Sequence, residues 1–295
     1  MLDFRMDTFL AACRHLNFTK AADELNMTQP AVSQHIKYLE KDYGIKLFVH
    51  EGKKMRLTKE GALLFNAVTT MKHDDIFLRE KFKGMDKKQS NLIFGTTLTV
   101  GEFVMPARLA AYLDKYPDSS VRMVVANTSR LMDGISSGEI DFAIIEGYFT
   151  KGEYDYLLYS KEKYIAVCGP EYSYSGSHDT IEDLLAERLI VREPGSGTRE
   201  ILERILGEKN LAIHDFVNPV EISNMNAIKT IVELNCGITF LYKAAVKKEL
   251  DAGRLREIKL KDLNATHDFT FVWRKGSIFA GHYRELFEIL RDGQL

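Results

Sequence analysis

Between Phe18 and Gly44 (FTKAADELNMTQPAVSQHIKYLEKDYG) the apolar positions follow a helical period that is broken once. Ala21, Ala22 and Leu25 recur at helical spacing, and Thr19 stands where a hydroxyl can cap their helix. Asn26 predicts the turn, because asparagine visits a left-handed backbone at little cost. Thr28 is placed to cap a second helix, and Pro30 falls in its first turn, where a missing N–H is harmless. Val32, Ile36, Leu39 and Tyr43 then make one apolar stripe, and Gly44 ends it. Ahead of this pair, residues 4–16 predict a helix with Met6, Phe9, Leu10 and Cys13 inward. Behind it, Ile45–Thr58 predicts a two-stranded wing with its tip near Glu51–Lys54.

From Lys59 to about Lys88 the pattern is helical throughout. Leu64, Val68, Met71, Asp75, Leu78, Phe82 and Met85 step by four and three residues in turn, a heptad seam with one polar break. Some 30 residues of helix span about 45 Å, too long for so small a head to bury, which points to a dimerising linker. Beyond Ser90, strand-like runs alternate with helical ones. The strands are expected at Leu92–Phe94, Val121–Val125, Phe142–Ile145, Tyr164–Cys168, Leu189–Val191, Val220–Ile222, Ile238–Leu241 and Phe269–Trp273. The helices are expected at Gly101–Lys115, Arg130–Ser137, Thr198–Glu208, Met225–Asn235 and Lys243–Ala252. This alternation indicates α/β units with parallel sheets.

The polar face of the second short helix carries Gln29, Ser33, Gln34, Lys37 and Lys41. Amide groups suit base edges, and hydroxyl and ammonium groups suit phosphates. Lys53 and Lys54 at the wing tip, with Arg56 behind them, can reach flanking phosphates or the minor groove. A solvated amphipathic helix pair and a solvated basic hairpin show the same local pattern. The wider context separates these readings. Thr19–Ala22 (TKAA), Leu25–Ser33 (LNMTQPAVS), Ile36–Glu40, Gly44–Phe48 and Leu57–Gly61 together resemble the LysR-type transcriptional regulators over some sixty residues. One departure is His50, where that family usually has arginine two residues after the "LF" pair.

The resemblance implies a mixed fold in three parts. Residues 1–60 form a mainly α winged helix-turn-helix, 61–89 a linker helix, and 90–295 an α/β effector domain like a periplasmic-binding protein. The two subdomains of that last part are placed at about 91–161 with 268–295, and at about 162–267, with crossings near Ser160–Lys163 and Thr266–Asp268. The expected partners are promoter DNA, a small-molecule effector, further copies in a homodimer or homotetramer, and RNA polymerase.

Composition agrees. Of 295 residues, 45% are hydrophobic and 28% charged, as in a soluble globular chain, and no apolar run approaches a membrane span. The N-terminus shows no signal-peptide pattern, and three scattered cysteines (Cys13, Cys168, Cys236) fit a reducing cytoplasm. A net charge of −2 hides a basic excess in residues 1–88, where 16 Lys and Arg face 12 Asp and Glu. That suits DNA contact by a local patch.

Two stretches read as strand-to-helix turns able to hold a ligand. In Gly95–Glu102 (GTTLTVGE), Thr97 and Thr99 add hydroxyls to a helix N-terminus, which favours anions. In Glu193–Arg199 (EPGSGTR), glycines allow close approach, and Ser196 and Thr198 donate. Simple capping explains either alone, whereas two on opposing walls make a site. Both coincide with positions that line the effector cleft in the resembled family, and the same resemblance adds Glu146 and Asn224. An inward carboxylate at Glu146 favours a zwitterion such as an amino acid. A plain small anion is allowed if Arg192 or Arg199 neutralises it. Catalytic motifs are absent: Ser160–Lys163 matches S-x-x-K only as a chance string, and the eight histidines lack metal-ligand spacing. No enzyme, cofactor or metal is therefore expected. The alternative is a DNA-binding structural protein with a vestigial cleft.

Overall fold

The head is built from three helices, α1 (Arg5–His15), α2 (Phe18–Glu24) and α3 (Gln29–Tyr43), followed by the antiparallel wing strands β1 (Phe48–Glu51) and β2 (Lys54–Leu57). The computed structural model describes residues 3–52, 54–85 and 91–292. Lys53, the side chain of Met85 and the expected continuation of the linker helix to Lys88 lie outside the described residues. Met6, Phe9, Leu10, Ala21, Ala22, Val32, Ile36, Leu39, Leu47 and Phe48 share one apolar core. Asn26 takes φ 53° between α2 and α3, and Gly44 ends α3 at φ 66°. Thr28 accepts the Ala31 N–H, as expected of a cap.

Two local expectations are corrected. Asn17, not Thr19, caps α2: its side-chain oxygen accepts from the N–H groups of Thr19 and Lys20, at 2.9 and 3.1 Å. An amide oxygen two residues earlier reaches both free donors, so Thr19 stays an exposed surface residue of α2. Tyr43 is also exposed, because the apolar stripe of α3 is already covered by the time it reaches its last turn.

The linker helix α4 (Lys59–Met85) starts against the head. A Cβ on Gly61 would stand 2.2 Å from the Leu47 carbonyl oxygen, so only glycine lets α4 approach the wing's base this closely. Farther along, Thr70, His73, Asp74 and Phe77 are buried against the C-terminal domain of the same chain. The expected seam is a different face. Leu64 and Val68 pack into the head, while Met71 and Phe82 stay exposed, 54% and 56%. Asp75, the polar break, pairs with Arg79.

The C-terminal domain continues with β3 (Asn91–Thr96), a π-helical turn (Val100–Val104), α5 (Met105–Lys115), β4 (Ser120–Val125), α6 (Thr128–Ser137), β5 (Phe142–Ile145) and β6 (Tyr154–Cys168). Then come β7 (Arg188–Val191), α7 (Gly197–Glu208), β8 (Val217–Glu221), α8 (Met225–Glu233), β9 (Ile238–Tyr242), α9 (Lys243–Asp251), β10 (Arg256–Ile258), β11 (Ala265–Arg274) and α10 (Ala280–Asp292). The strand order is β4-β3-β5-β11-β6-β9-β7-β8, with β10 on β6. The expectation of parallel sheets holds within each half, for β3 with β4 and β5, and for β7 with β8 and β9. It fails at the centre, where β11 pairs antiparallel with both β5 and β6, and β6 pairs antiparallel with β9. Two chain passes in opposite directions can pair no other way.

The first half of β6 escapes a hydropathy reading because Tyr156, Leu158, Lys161 and Lys163 are exposed along it, beside the buried Tyr154 and Tyr159. The turn before α5 is also not the regular helix expected. Met105 N–H bonds back five residues to Val100, just ahead of Pro106, which has no N–H to continue an ordinary ladder. Among the described residues no helix is long and apolar enough to cross a membrane.

Gly61→Ala is expected to destabilise the head by more than about 2 kcal/mol, because the opposing atom is backbone and cannot swing away. Thermal or urea unfolding followed through the head would show it. An unchanged midpoint would contradict the close approach of α4 to Leu47.

Candidate functional site

On the head, Gln29, Pro30, Gln34, Lys37, Lys54 and Arg56 are exposed and Ser33 is half-buried, along α3 and the wing. Among the described residues the side chains of Gln29, Ser33, Gln34 and Lys37 are not tied up by neighbours, and Arg56 pairs only with the equally exposed Glu51. Groups held outward in this way can exchange water for a partner's polar atoms. The rigidity behind them comes from residues that sequence reasoning passed over. Thr8 Oγ1 lies 2.9 Å from His35 Nδ1, tying α1 to α3. Glu40 accepts from the Leu47 N–H and from Lys46 Nζ, at 3.0 and 2.7 Å, fixing α3 to the base of the wing.

The second site lies at the C-terminal ends of the parallel strands, the position where open α/β sheets leave a crevice. A cavity of about 380 Å³ is lined by Thr97, Leu98, Asn127, Thr128, Glu146, Arg192, Glu193, Ser196, Gly197 and Ser223, among others. The turns leaving β3, β4, β5, β7 and β8 thus converge. Three of them lead into the N-termini of α6, α7 and α8, whose free N–H groups and dipoles favour negative charge. Gly195, at φ 83°, makes the turn before α7 possible.

Of the expected residues, Thr97, Glu146 and Ser196 line the cavity, and Thr99 and Thr198 stand directly behind it. Thr99 Oγ1 lies 3.3 Å from Thr198 Oγ1, which donates to Glu146 Oε1 at 3.4 Å, while Thr97 Oγ1 accepts the Glu146 N–H at 3.2 Å. The two predicted turns, whose Thr99 and Thr198 are 99 residues apart in the chain, are therefore joined by a hydroxyl–carboxyl chain. Ser196 is the N-cap residue of α7, yet its hydroxyl makes no capping bond. Asn224 is not part of this group: it caps α8 by accepting from the Ala227 N–H at 2.9 Å, and Ser223 takes the place at the wall.

The electrostatics differ from both sequence alternatives. Arg192 is committed to Glu193 through two bonds of 2.7 Å, and Arg199 to Glu203 and Glu221. Neither contacts Glu146, which is 2% exposed with Oε2 lacking any partner among the described residues. Burial raises its pKa to about 7, against the opposing pull of the Thr99 hydroxyl, the Arg192 charge and the Thr198 hydroxyl. Glu146 thus meets the cavity as a carboxyl poised between its neutral and charged forms.

No cluster of His, Cys, Asp and Glu able to hold a metal occurs among the described residues. Residues 5–62 match the family model of the bacterial regulatory helix-turn-helix protein, lysR family, and residues 86–294 match the LysR substrate binding domain. The chain is 28% identical over 265 residues to the HTH-type transcriptional regulator CysL of Bacillus subtilis, covering 88% of this chain and 85% of that one. Its fold is similar to a mutant OxyR of Corynebacterium glutamicum, with TM-score 0.61 and 20% identity over 98% of this chain and 91% of that one. It is similar also to the regulatory domain of CcmR from Synechocystis PCC6803 in complex with 2-PG, with TM-score 0.60 and 20% identity over 69% of this chain and 96% of that one. A winged head, a long linker helix and a two-lobed α/β domain with a polar crevice, with family models matching residues 5–62 and 86–294, make this chain a member of the LysR family of transcriptional regulators.

Proposed function

We propose that the chain binds specific promoter DNA through α3 and the wing, and that a small effector in the crevice modulates this binding. Gln29, Ser33 and Gln34 read base edges, while Lys37, Lys53, Lys54 and Arg56 hold phosphates on either side. Thr19, Thr28 and Pro30 shape and flank the helix entry at the DNA backbone. The working parts are a head at 1–60, a linker at 61–89 and a sensor at 90–295. The sensor divides into about 91–161 with 268–295, and 162–267. Homodimers formed along the exposed part of the α4 seam, at Met71 and Phe82, and joined into tetramers, present two heads to two half-sites. The protein works in the cytoplasm beside RNA polymerase and carries no catalytic activity.

The observation that carries the effector reading is the meeting of the GTTLTVGE and EPGSGTR turns around a buried, half-partnered Glu146. The CcmR regulatory domain, solved in complex with 2-PG, has a similar fold and supports a small-molecule effector for this domain. The route to the head runs along β11. Its first half pairs with β6 at the crossing, and Arg274 at its end donates to Asn66 and Thr70 of α4. Asp74 of α4 accepts from Ser277 Oγ and from the Ile278 N–H just beyond. A ligand that prefers one arrangement of the lobes shifts this strand, and with it the linker, by its difference in affinity between the two.

Gln29→Ala is expected to cost about 1–3 kcal/mol on the specific site and to relax sequence preference, as binding to specific and random DNA would show. Equal losses on both would remove it as a base reader. Lys37→Ala should weaken binding evenly and reduce the salt slope by about one phosphate. Thermal unfolding against amino acids, carboxylates, sulfur oxyanions and phosphates tests the crevice: a ligand at about 100 times its Kd adds about 2.7 kcal/mol. The shift should vanish in Thr97→Ala and Ser196→Ala. A panel without any shift would favour the ligand-insensitive, structural reading of the same fold.

A further inference from the structure

The crevice holds one group whose chemistry narrows the ligand. Glu146 reaches from the end of β5 to the first turn of α7, where a Cβ on Gly197 would lie 3.2 Å from its Oε1. Oε1 accepts from Thr198, but Oε2 is buried with no partner among the described residues, on a residue that lines the cavity. Convergent helix N-termini attract an anion, and an ionised carboxylate beside them repels it. Both facts are satisfied by a single protonation state.

Resting on the effector reading above, we propose that this crevice takes a small oxyanion, a carboxylate, sulfate or phosphate group, bound by a Glu146 that keeps its proton and donates it to the ligand. A neutral carboxyl has one O–H donor, which gives the orphaned oxygen its use. An ammonium group on the ligand is then not needed, and the zwitterion favoured on sequence grounds gives way to a plain anion.

The ionisable surroundings are few. From the β7–α7 turn, Arg192 favours the charged form of Glu146 but is neutralised by Glu193, and from α7 Glu200 opposes it. From β6 and β9, Tyr164 and Tyr242 face it as neutral phenols, their own pKa values raised by burial and by Glu146 itself. The turns after β3 and β4 bring only uncharged lining residues, Thr97, Leu98, Asn127 and Thr128. Burial, the largest influence, lifts the carboxyl to about 7. The free protein therefore holds the proton below that pH, and binding must take one up above it. Anion affinity is full on the acid side and declines as pH rises.

Calorimetric titration of the full chain with sulfate, inorganic phosphate and acetate, in buffers of different ionisation enthalpy, is the test. Sulfate keeps its charge throughout, so any pH dependence belongs to the protein. Its affinity is expected to fall up to about tenfold per pH unit above about pH 7, with uptake of one proton. Glu146→Gln, whose amide donates at every pH, should bind with a flat profile and no uptake. The infrared band of buried protonated carboxyl at about pH 6 should lose intensity in Glu146→Gln, leaving the contribution of Asp141, whose pKa burial also lifts to about 6. A flat wild-type profile with binding intact, or an unchanged band in Glu146→Gln, overturns the proposal. If all three anions fail while an amino acid binds, the proposal falls and the effector crevice stands. If nothing in the wider panel binds, the effector reading itself falls.

Discussion

The antiparallel ladder between β6 and β11 is the constraint on which the sensor domain depends. Its pairing runs from Ala265 opposite Tyr164 to Arg274 opposite Tyr154, with one shift of register. One half of the ladder belongs to the lobe of β3, β4 and β5, and the other to the lobe of β7, β8 and β9. A bulge opposite the Phe269–Thr270 step leaves Tyr159 as the extra residue. Its ring turns into the core and its hydroxyl donates to the Leu290 carbonyl of α10 at 2.7 Å. Bulges bend a strand and increase its twist, so the two lobes are free to meet at an angle while remaining one hydrogen-bonded sheet.

That geometry makes a polar crevice unavoidable. Each lobe points the C-terminal ends of its parallel strands, and the N-termini of the helices that follow them, toward the gap. Hydroxyls, glycines and free N–H groups gather there because strand-to-helix turns require them. Glu146 is the exception, since no turn requires a buried carboxylate. Its neighbours Arg192 and Arg199 are each occupied by other acids, which leaves burial to decide its charge.

The contact between linker and sensor is equally specific, and largely polar. Arg274, 1% exposed, is held by Asn66, Thr70 and Glu153, and Asp74 by Ser277 and the Ile278 N–H. Phe77 adds an aromatic contact with Phe279 and Tyr283. Hydrogen bonds of this kind have strict distance and angle requirements, so they discriminate between arrangements more sharply than an apolar seam of the same size.

Much of this was legible in the sequence. Local rules identified the turn at Asn26, the cap at Thr28, the end of α3 at Gly44 and the positions of most strands, because those features depend on residues within a few places of each other. Thr19 was misread since Asn17, two residues earlier, competes for the same donors and wins. The first half of β6 was hidden, and so was the antiparallel core of the sheet, because strand direction is set by which lobe the chain returns to. The sequence placed Thr97, Thr99, Ser196 and Thr198 on two turns that suit an anionic group, and Glu146 turned that reading toward a zwitterion. Only the tertiary structure brought those turns into contact and set Asn224 aside as a helix cap. It also determined the burial that lifts the pKa of Glu146, since desolvation depends on every atom packed around a group and on none of its neighbours in sequence in particular.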